Sequence, residues 1–288
     1  MNPELKSHLE AVLDSPILRS QPSSGGDIAN ASLVETATDR FFIKTSTKPW
    51  AEELFKSESR GLKQIKATQT ISVPKVYAEG EFDQTGYLVL EFIESKEPDS
   101  GDFERLGQQL AELHLVSQDS EFGGPHDNFI GHLPQSNTME SSWVTFYVEQ
   151  RLLPQMQLAC KKGLLNKETI PLMENLIEVC NTIMGKVTPS LLHGDLWGGN
   201  FLIATNGTPV LIDPSTYVGH SEVDLAMSRL FGGFGSSFYT AYHEQIKPHP
   251  RQKDLMEMYQ LYYLLVHLNL FGGSYKNSVL SIINKYFR

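Results

Sequence analysis

The feature that most constrains the fold is a short hairpin with polar residues at both of its ends. Residues 201–212 form two apolar, strand-like segments around Asn206-Gly207. An Asn-Gly pair between two such segments is a strong signal for a β-hairpin. Asn200 precedes the first segment and Asp213 follows the second. Because the outer ends of the two strands of a hairpin lie side by side, we expect Asn200 and Asp213 to lie close together.

The polar residues before the hairpin have the spacing H-x-D-x-x-x-x-N, from His193 through Asp195 to Asn200. In this arrangement Asp195 is placed to accept a hydroxyl proton, while Asn200 and Asp213 offer the oxygen ligands that Mg²⁺ prefers. The combination is typical of phosphoryl transfer. Asp and Asn also form turns for local hydrogen-bonding reasons, but three polar residues in this register make that alone the weaker interpretation.

Several longer runs resemble the fructosamine kinase (ketosamine-3-kinase) family. These runs are DNFIG at 127–131, LLHGDLWGGNF at 191–201, VLIDP at 210–214, DLAM at 224–227, LFGGF at 230–234 and HLNLFGG at 267–273. Aminoglycoside and choline kinases share the HGD and IDP cores but generally lack the WGGN and DNFIG runs. The resemblance extends from about Gly25 to the C-terminus. It implies an ATP-dependent kinase with a protein-kinase-like fold.

The order of the segments predicts an α+β, two-lobed fold. Residues up to about 92 contain strand-like segments and one clear helix, whereas the later residues are mostly helical apart from the hairpin. We therefore expect a small β-rich N-terminal lobe with one key helix and a larger, mainly helical C-terminal lobe. The first, residues 1–93, would bind ATP, and the second, residues 94–288, would carry the catalytic and substrate-binding residues.

A lysine and a glutamate of the N-terminal lobe are candidates for phosphate binding. Lys44 lies in a strand-like run and shares a face with Phe42, and Glu58 continues the apolar stripe of Phe55 and Leu62 in the next helix. A buried carboxylate needs a partner, because an unpaired buried charge is costly. We therefore predict an ion pair that orients Lys44 toward the ATP phosphates, as in the family. For Lys44 alone, the alternative is a side chain that snorkels to water.

Two other segments are candidates for nucleotide binding. Gly25 and Gly26 precede a strand-like run, and their order in the chain fits a loop over the phosphates, although a glycine pair alone is a weak signal. Residues 86–93 read as a buried strand that leads to the connection between the lobes. The main-chain groups of Glu91 and Ile93 are candidates for adenine recognition, and an ordinary core strand followed by a loop is the alternative.

The resemblance assigns roles to the residues around the hairpin. Asp195 is the expected catalytic base, and Asn200 and Asp213 are the expected Mg²⁺ ligands. We expect His193 to organise the loop and Asp224 to anchor its backbone.

The acceptor pocket is predicted from fewer residues. Trp197 offers a flat apolar face that suits a sugar derivative. His267 and Asn269 are further candidates, with helix packing near Gly272-Gly273 as the alternative. The resemblance implies a ketosamine acceptor, as a small molecule or on a glycated protein, phosphorylated on its O3′ hydroxyl. The product would shed its sugar, which implies a role in deglycation.

Two other functions remain open from the sequence. A different small-molecule kinase, of the aminoglycoside or choline kinase type, would use the same base and metal positions, but the DNFIG and WGGN runs disfavour it. A noncatalytic nucleotide-binding module would be expected to lack the base, a metal ligand or the lysine, and none of these is missing.

Composition excludes several classes of protein. A formal net charge of −10 disfavours nonspecific nucleic-acid binding, which depends on many Lys and Arg contacts. The N-terminus has no basic segment followed by an apolar core, and the apolar run 261–271 is short and interrupted by polar residues. We therefore expect a cytoplasmic enzyme without a membrane segment. Cys160 and Cys180 are expected to be reduced thiols, and Asp27 stands where relatives often carry a redox-sensitive cysteine, so we predict no disulfide regulation there.

Overall fold

An antiparallel sheet of five strands and two helices forms the N-terminal part of the chain. The computed structural model describes residues 2–23, 29–116, 118 and 121–288. The elements of this part are α1 (Pro3–Leu13), β1 (Arg19–Ser23), β2 (Asn30–Glu35), β3 (Arg40–Ser46), α2 (Ala51–Thr68), β4 (Val76–Phe82) and β5 (Thr85–Glu91). The strands lie in the order β1-β2-β3-β5-β4, and each pairs antiparallel with its neighbour.

The two helices cover opposite faces of this sheet. Successive side chains of a strand point to opposite faces, so β3 contributes to both sides. Phe41 and Ile43 pack with Leu5 and Leu9 of α1 in one apolar cluster. The other cluster contains Ala51, Phe55, Leu62, Leu88 and Leu90, with Phe42 packed against it. The alternation in β3 therefore decides which of its side chains face α2.

The rest of the chain is mainly helical. Its elements are β6 (Ser95–Lys96), α3 (Ser100–Leu115), β7 (Asn128–Ile130), β8 (Leu133–Gln135), α4 (Trp143–Phe146), a π-helical segment (Tyr147–Leu152), α5 (Leu153–Lys161), a short 3₁₀ turn (Lys167–Thr169), α6 (Met173–Met184), β9 (Ser190–Leu192), β10 (Phe201–Ala204), β11 (Pro209–Leu211), β12 (Tyr217–Gly219), α7 (Glu222–Leu230), α8 (Ser236–Gln245), α9 (Gln252–Phe271), a second 3₁₀ turn (Gly273–Tyr275) and α10 (Lys276–Phe287). Small sheets join β11-β10-β6, β12-β9 and β7-β8.

The predicted hairpin around Asn206-Gly207 is confirmed. β10 and β11 pair antiparallel, with Phe201 opposite Leu211, so the strand ends next to Asn200 and Asp213 lie together. The turn is fixed from outside, because Arg105 Nε donates to the carbonyl oxygen of Gly207 at 3.1 Å.

The largest apolar cluster surrounds α9, which is apolar on nearly all sides. Tyr259, Tyr262, Tyr263 and Leu265 are all buried in it. A helix that is hydrophobic all round belongs in a core. None of the helices in the described ranges combines the length and the apolar character needed to cross a membrane.

The chain passes from the first sheet to β6 through residues 92–94. Because β6 pairs with β10, this connection leads directly to the hairpin. The exact boundary between the two lobes, placed at residue 93 from the sequence, stays a prediction.

Candidate active site

A cleft of about 460 Å³ lies between α2 and β3 on one side and the helical part on the other. The predicted site residues that line it are Lys44, Glu58, Asp195, Trp197, Asn200, Asp213 and His267. Helix, strand and loop residues that are far apart in the sequence therefore converge on one cavity.

Lys44 is held between two carboxylates. The predicted ion pair with Glu58 is present, with 2.8 Å between Lys44 Nζ and Glu58 Oε1, and Nζ also donates to Asp213 Oδ1. Lys44 is only 7% exposed, so the snorkelling alternative is wrong. Burial alone would lower the pKa of Lys44, but the charges of Asp213 and Glu58 outweigh it and raise that pKa above its ordinary value. The ammonium group therefore stays charged.

Glu58 owes its position to the periodicity of α2. It is buried on the same stripe of the helix as Phe55 and Leu62. Burial raises the pKa of Glu58 to about 7, and the charge of Lys44 opposes this shift. Lys44 and Glu58 thus form a buried ion pair in which each charge stabilises the other.

Asp213 adopts an uncommon backbone conformation directly after β11. Its φ is +55°, in the left-handed region that Asp tolerates better than most residues. The N–H of the preceding Ile212 donates to the carbonyl oxygen of Asn200 at 3.1 Å, which ties the two ends of the hairpin together. Such conformations concentrate at functional sites, where the surrounding structure maintains them.

Asp195 and Asn200 form a hydrogen-bonded pair across the loop. Asn200 Nδ2 donates to the carbonyl oxygen of Asp195 at 2.8 Å and to its Oδ2 at 3.1 Å. Burial raises the pKa of Asp195 to about 7, the charge of Asp213 adds to the shift, and the hydrogen bond from Asn200 opposes it. A carboxyl group poised near neutrality is suited to accepting a proton.

The same geometry fits a divalent cation at Asn200 and Asp213. Because the amide nitrogen of Asn200 is committed to Asp195, its Oδ1 is the atom left for a ligand, beside the carboxylate of Asp213. Among the described residues, no group of three or more His, Cys, Asp or Glu side chains forms a complete metal site. Two protein oxygens are the usual complement for Mg²⁺, which takes further ligands from phosphates and water.

A buried carboxylate anchors the loop that carries Asp195. Asp224 of α7 accepts hydrogen bonds from the N–H groups of His193 and Gly194, at 2.8 and 2.9 Å, and lies 3.1 Å from His114 Nε2. Burial by itself would raise the pKa of Asp224, but the hydrogen bond with His114 and the other contacts lower it overall. The predicted anchoring role of Asp224 is confirmed in its geometry.

His193 organises the loop through both ring nitrogens. Its Nδ1 accepts from the N–H of Asp195 at 3.3 Å, and its Nε2 donates to the carbonyl oxygen of Ile212 at 2.9 Å. Burial lowers the pKa of His193, which favours the neutral ring that these two bonds require. Neither nitrogen is left to act as a second base.

Gly194 is expected to resist substitution. Its φ is +84°, and a methyl group added there would lie 2.1 Å from the carbonyl oxygen of Ser215. We expect Gly194→Ala to lower the melting temperature and to reduce turnover at least tenfold, because the loop must shift and misplace Asp195. Gly198→Ala is the matched control, since nothing lies within 4 Å of an added methyl group there. Thermal unfolding and steady-state kinetics of both variants check this, and equal behaviour of the two would contradict it.

The indole of Trp197 lies over the backbone of Gly199 at the cleft. A methyl group at Gly199 would come within 2.5 Å of the ring, and Trp197 itself is 40% exposed. His267 also lines the cleft: its Nδ1 donates to the carbonyl oxygen of Tyr263 at 2.8 Å, and its ring lies 4.4 Å from that of Phe231. The two predicted substrate residues thus share one cavity.

The expectation that Asn269 completes the acceptor pocket is wrong. Asn269 is buried, and its Nδ2 donates to the carbonyl oxygen and to Oε1 of Gln155, both at 2.9 Å. Two positions along a helix correspond to a rotation of about 200°, so Asn269 points away from the side that His267 occupies. The helix-packing alternative is the correct one for Asn269.

The adenine candidates lie outside the lining of this cleft. Glu91 and Ile93 are not among the described residues that line it. The N–H of Glu91 donates to the carbonyl oxygen of Lys75 at 2.8 Å, whereas the backbone of Ile93 makes no hydrogen bond within the described ranges. Gly25, Gly26 and Asp27 lie outside the described residues.

Sequence reasoning missed several residues of the cleft. Phe129, Ile130, Gly131 and His132 of the β7-β8 hairpin line it; the first three belong to the DNFIG run, which indicated only the resemblance, and His132 follows that run. Tyr263 also lines the cleft, and its hydroxyl donates to the carbonyl oxygen of Gly194 at 2.8 Å. No local pattern distinguishes this tyrosine from its buried neighbours in α9.

Comparison with known proteins confirms the resemblance found in the sequence. The model of the fructosamine kinase family matches residues 1–288. A "Probable ketoamine kinase" from Lactiplantibacillus plantarum is 40% identical over 272 residues, which cover 92% of this chain and 93% of that protein. A chloroplastic "Protein-ribulosamine 3-kinase" from Arabidopsis thaliana is 39% identical over 276 residues, which cover 92% of this chain and 81% of the relative.

Solved structures show the same relationship. A "putative fructosamine-3-kinase" from Thermobifida fusca has a TM-score of 0.87 and 30% identity, and the match covers 99% of this chain and 98% of that one. An aminoglycoside phosphotransferase in ternary complex with ADP and hygromycin B has a TM-score of 0.64 at 14% identity, with 98% of both chains covered. The second likeness bears on the fold alone. Together they confirm the predicted two-lobed, kinase-like fold class.

Proposed function

The chain belongs to the fructosamine kinase family, and from that premise we propose that this phosphotransferase moves the γ-phosphoryl group of ATP to the O3′ hydroxyl of a ketosamine. The relatives named as ketoamine and ribulosamine kinases support the acceptor class. Use of ATP is supported by the kinase names of these relatives and by the buried lysine and the two oxygen ligands that line the cleft.

The observation that carries the proposal is the convergence of four side chains in one cleft. Asn200 and Asp213 stand at the two ends of the β10-β11 hairpin, Asp195 is hydrogen-bonded to Asn200, and Lys44 reaches Asp213 from the opposite side. Phosphoryl transfer needs little covalent chemistry from a protein and depends on positioning and charge neutralisation. A proton acceptor, two oxygen ligands and a buried ammonium group meet that need.

In the proposed mechanism, Asp195 accepts the proton of the O3′ hydroxyl as that oxygen attacks the γ-phosphorus. The bond to the bridging oxygen breaks and ADP leaves. Lys44 neutralises charge on the phosphates, and Asn200 and Asp213 would hold Mg²⁺. Bound Mg²⁺ would supply further charge neutralisation. Asn200 also fixes the carboxylate of Asp195 through its amide, so one residue serves both parts of the site.

We further propose that the acceptor packs its carbon skeleton on the indole of Trp197, with His267 on the facing wall. The exposed ring faces suit a sugar derivative. The relatives' names support ribulosamine and related ketoamine acceptors, free or on proteins. Phosphorylation at O3′ would make the adduct shed its sugar, which gives the reaction a role in deglycation.

The loop over the phosphates and the adenine contacts are proposed from the sequence. We propose that Gly25 and Gly26 cover the phosphates and that main-chain groups of Glu91 and Ile93 contact adenine. The free backbone groups of Ile93, within the described ranges, support this assignment. Residues 1–93 would then form the ATP-binding lobe and residues 94–288 the catalytic and substrate-binding lobe.

Release of ADP with Mg-ATP and matched ribulosamine and fructosamine derivatives of one small amine tests the function. We expect turnover that depends on the acceptor, and the ratio of kcat/KM for the two sugars measures the preference. Phosphate location on the product, determined by NMR, tests the O3′ assignment. Turnover with an aminoglycoside or choline but with neither ketosamine would contradict the proposal.

Removal of the divalent cation is expected to abolish turnover. In a titration with Mg²⁺, we expect Asn200→Ala to raise the concentration for half-maximal activity by about tenfold or more, because one oxygen ligand is lost. Asn206→Ala, in the turn of the same hairpin, is the matched control and should leave the titration unchanged. An unaltered Mg²⁺ dependence of Asn200→Ala would remove Asn200 from the ligand set.

A further inference from the structure

One aromatic contact joins the N-terminal sheet domain to the opposite wall of the cleft. His132, at the turn of the β7-β8 hairpin, stacks on Trp50, which caps the N-terminal end of α2. The ring centroids are 5.8 Å apart and the planes differ by 11°. His132 is exposed, whereas Trp50 is half-buried and also packs against the apolar cluster between α2 and the sheet. None of the reaction roles assigned above uses this pair.

The base of the β7-β8 hairpin is fixed to the segment that follows Asp213. Asn128 Nδ2 donates to the carbonyl oxygen of Thr216 at 2.8 Å, and the hydroxyl of Ser215 donates to the carbonyl oxygen of Phe129. Gln135 Nε2 donates to Asn128 Oδ1 at 2.7 Å, which orients the asparagine. The hairpin and the segment carrying Asp213 therefore form one hydrogen-bonded unit.

Helix α2 contacts this unit a second time near its middle. A methyl group added at Gly61 would lie 3.1 Å from both Pro214 Cγ and Thr216 Oγ1, so the helix backbone approaches the unit closely there. Glu58 lies on α2 between this point and Trp50. These two contacts, one at each side of Glu58, fix α2 against the hairpin unit, in addition to the packing of α2 on the sheet.

This arrangement affects the position of Lys44, because its two carboxylate partners belong to different parts of the structure. Glu58 is on α2, whereas Asp213 is on the unit that carries the hairpin. A displacement of α2 would separate the two carboxylates and move the ammonium group. Misplacement of a catalytic group by about 1 Å can cost about a hundredfold in rate.

We propose that Trp50 and His132 are positioning residues, whose stack holds α2 against the β7-β8 hairpin and thereby keeps Lys44 aligned for the phosphates of ATP. The inference rests on the proposed kinase reaction and adds to it a fixed contact between the two sides of the cleft. Phe129 to His132 also line the cleft, so the same hairpin that forms part of its wall supports the helix.

A double-mutant cycle tests the proposal. We expect His132→Ala and Trp50→Leu each to lower kcat/KM for Mg-ATP by about three- to tenfold, the range that corresponds to loss of one aromatic stack. The double variant should lose no more than Trp50→Leu alone, because His132→Ala removes only the contact that Trp50→Leu has already lost. His132→Phe retains a flat ring and should restore most of the activity, and assays well below the melting temperature of every variant exclude a general loss of stability as the cause.

A second stack in the same sheet domain provides the matched control. His8 stacks on Phe82 with ring centroids 4.4 Å apart; this stack joins α1 to β4, and Phe82 packs against the apolar cluster on the α1 side of the sheet. His8→Ala should leave kcat/KM for Mg-ATP unchanged. Equal losses in His8→Ala and His132→Ala, additive losses in the cycle, or a lower melting temperature with unaltered kinetics would each overturn the proposal.

Binding of a nonhydrolysable ATP analogue with Mg²⁺ tests the role of the Trp50–His132 stack independently of the proposed reaction. Calorimetry should show a Kd for the analogue that rises with His132→Ala and Trp50→Leu and returns toward the wild-type value with His132→Phe. Absence of turnover by the wild-type protein on every ketosamine would refute the reaction, and the analogue affinities would still decide the role of the stack. Unchanged affinity and unchanged kcat/KM in the variants would refute the stack alone.

Discussion

Asp195→Asn is expected to lower kcat by about 10²–10⁴-fold, the usual contribution of a general base. The amide is close in size to the carboxyl group and can still accept a hydrogen bond from Asn200, so the loop should keep its shape. It cannot take the proton of the acceptor hydroxyl. Affinity for Mg-ATP should therefore change little, and kinetics together with calorimetric titration of the nucleotide would measure both effects.

The matched control for this change is Asp83→Asn. Asp83 lies in an exposed turn with φ of +45°, a conformation that Asn also tolerates. It should retain full activity. Unchanged turnover of Asp195→Asn would exclude Asp195 as the base. Loss of nucleotide binding in this variant would show that Asp195 contributes mainly to binding of Mg-ATP and not to the transfer step.

Lys44→Met is expected to reduce both activity and stability. Loss of a charge that neutralises the phosphates should lower kcat/KM by on the order of 10²-fold or more. Breaking a buried ion pair from one side leaves an unpaired carboxylate, which typically costs about 3–5 kcal/mol. The half-exposed Asp213 can turn to water more easily than Glu58, so Glu58 should account for most of this cost.

The double variant Lys44→Met with Glu58→Gln separates the two effects. A neutral amide at position 58 removes the stranded charge, so the free energy of unfolding should recover by a large part of the loss. Activity should stay low, because no ammonium group is restored. Urea denaturation and steady-state kinetics provide the two readouts. Recovery of activity in the double variant would contradict the proposed role of Lys44.

Local patterns predicted the parts of the site that depend on neighbouring residues. The Asn206-Gly207 pair identified a hairpin, and a hairpin brings its own ends together whatever the rest of the chain does. The ion pair between Lys44 and Glu58 followed from a strand period of two and a helix period of 3.6, since both periods orient side chains toward the same interface. Resemblance supplied the reaction and the role of Asp224.

Contacts between distant segments were not predicted because periodicity does not record them. Lys44 meets Asp213 only after the N-terminal sheet docks on the hairpin, and nothing in either segment specifies that docking. The stack of His132 on Trp50 is of the same kind. The wrong prediction for Asn269 has a different cause. His267 and Asn269 are two positions apart on one helix, and this spacing already implied that they face different sides.

Helix α9 connects the catalytic loop with the wall of the cleft. Tyr263 supports the catalytic loop from within the core, and His267, one turn later on the same face, reaches the cleft. Both residues belong to one buried helix, so a shift of α9 would move the support of the loop and the wall of the cleft together. Substitutions that loosen the packing of α9 should therefore change the position of Asp195 and the shape of the cleft at the same time.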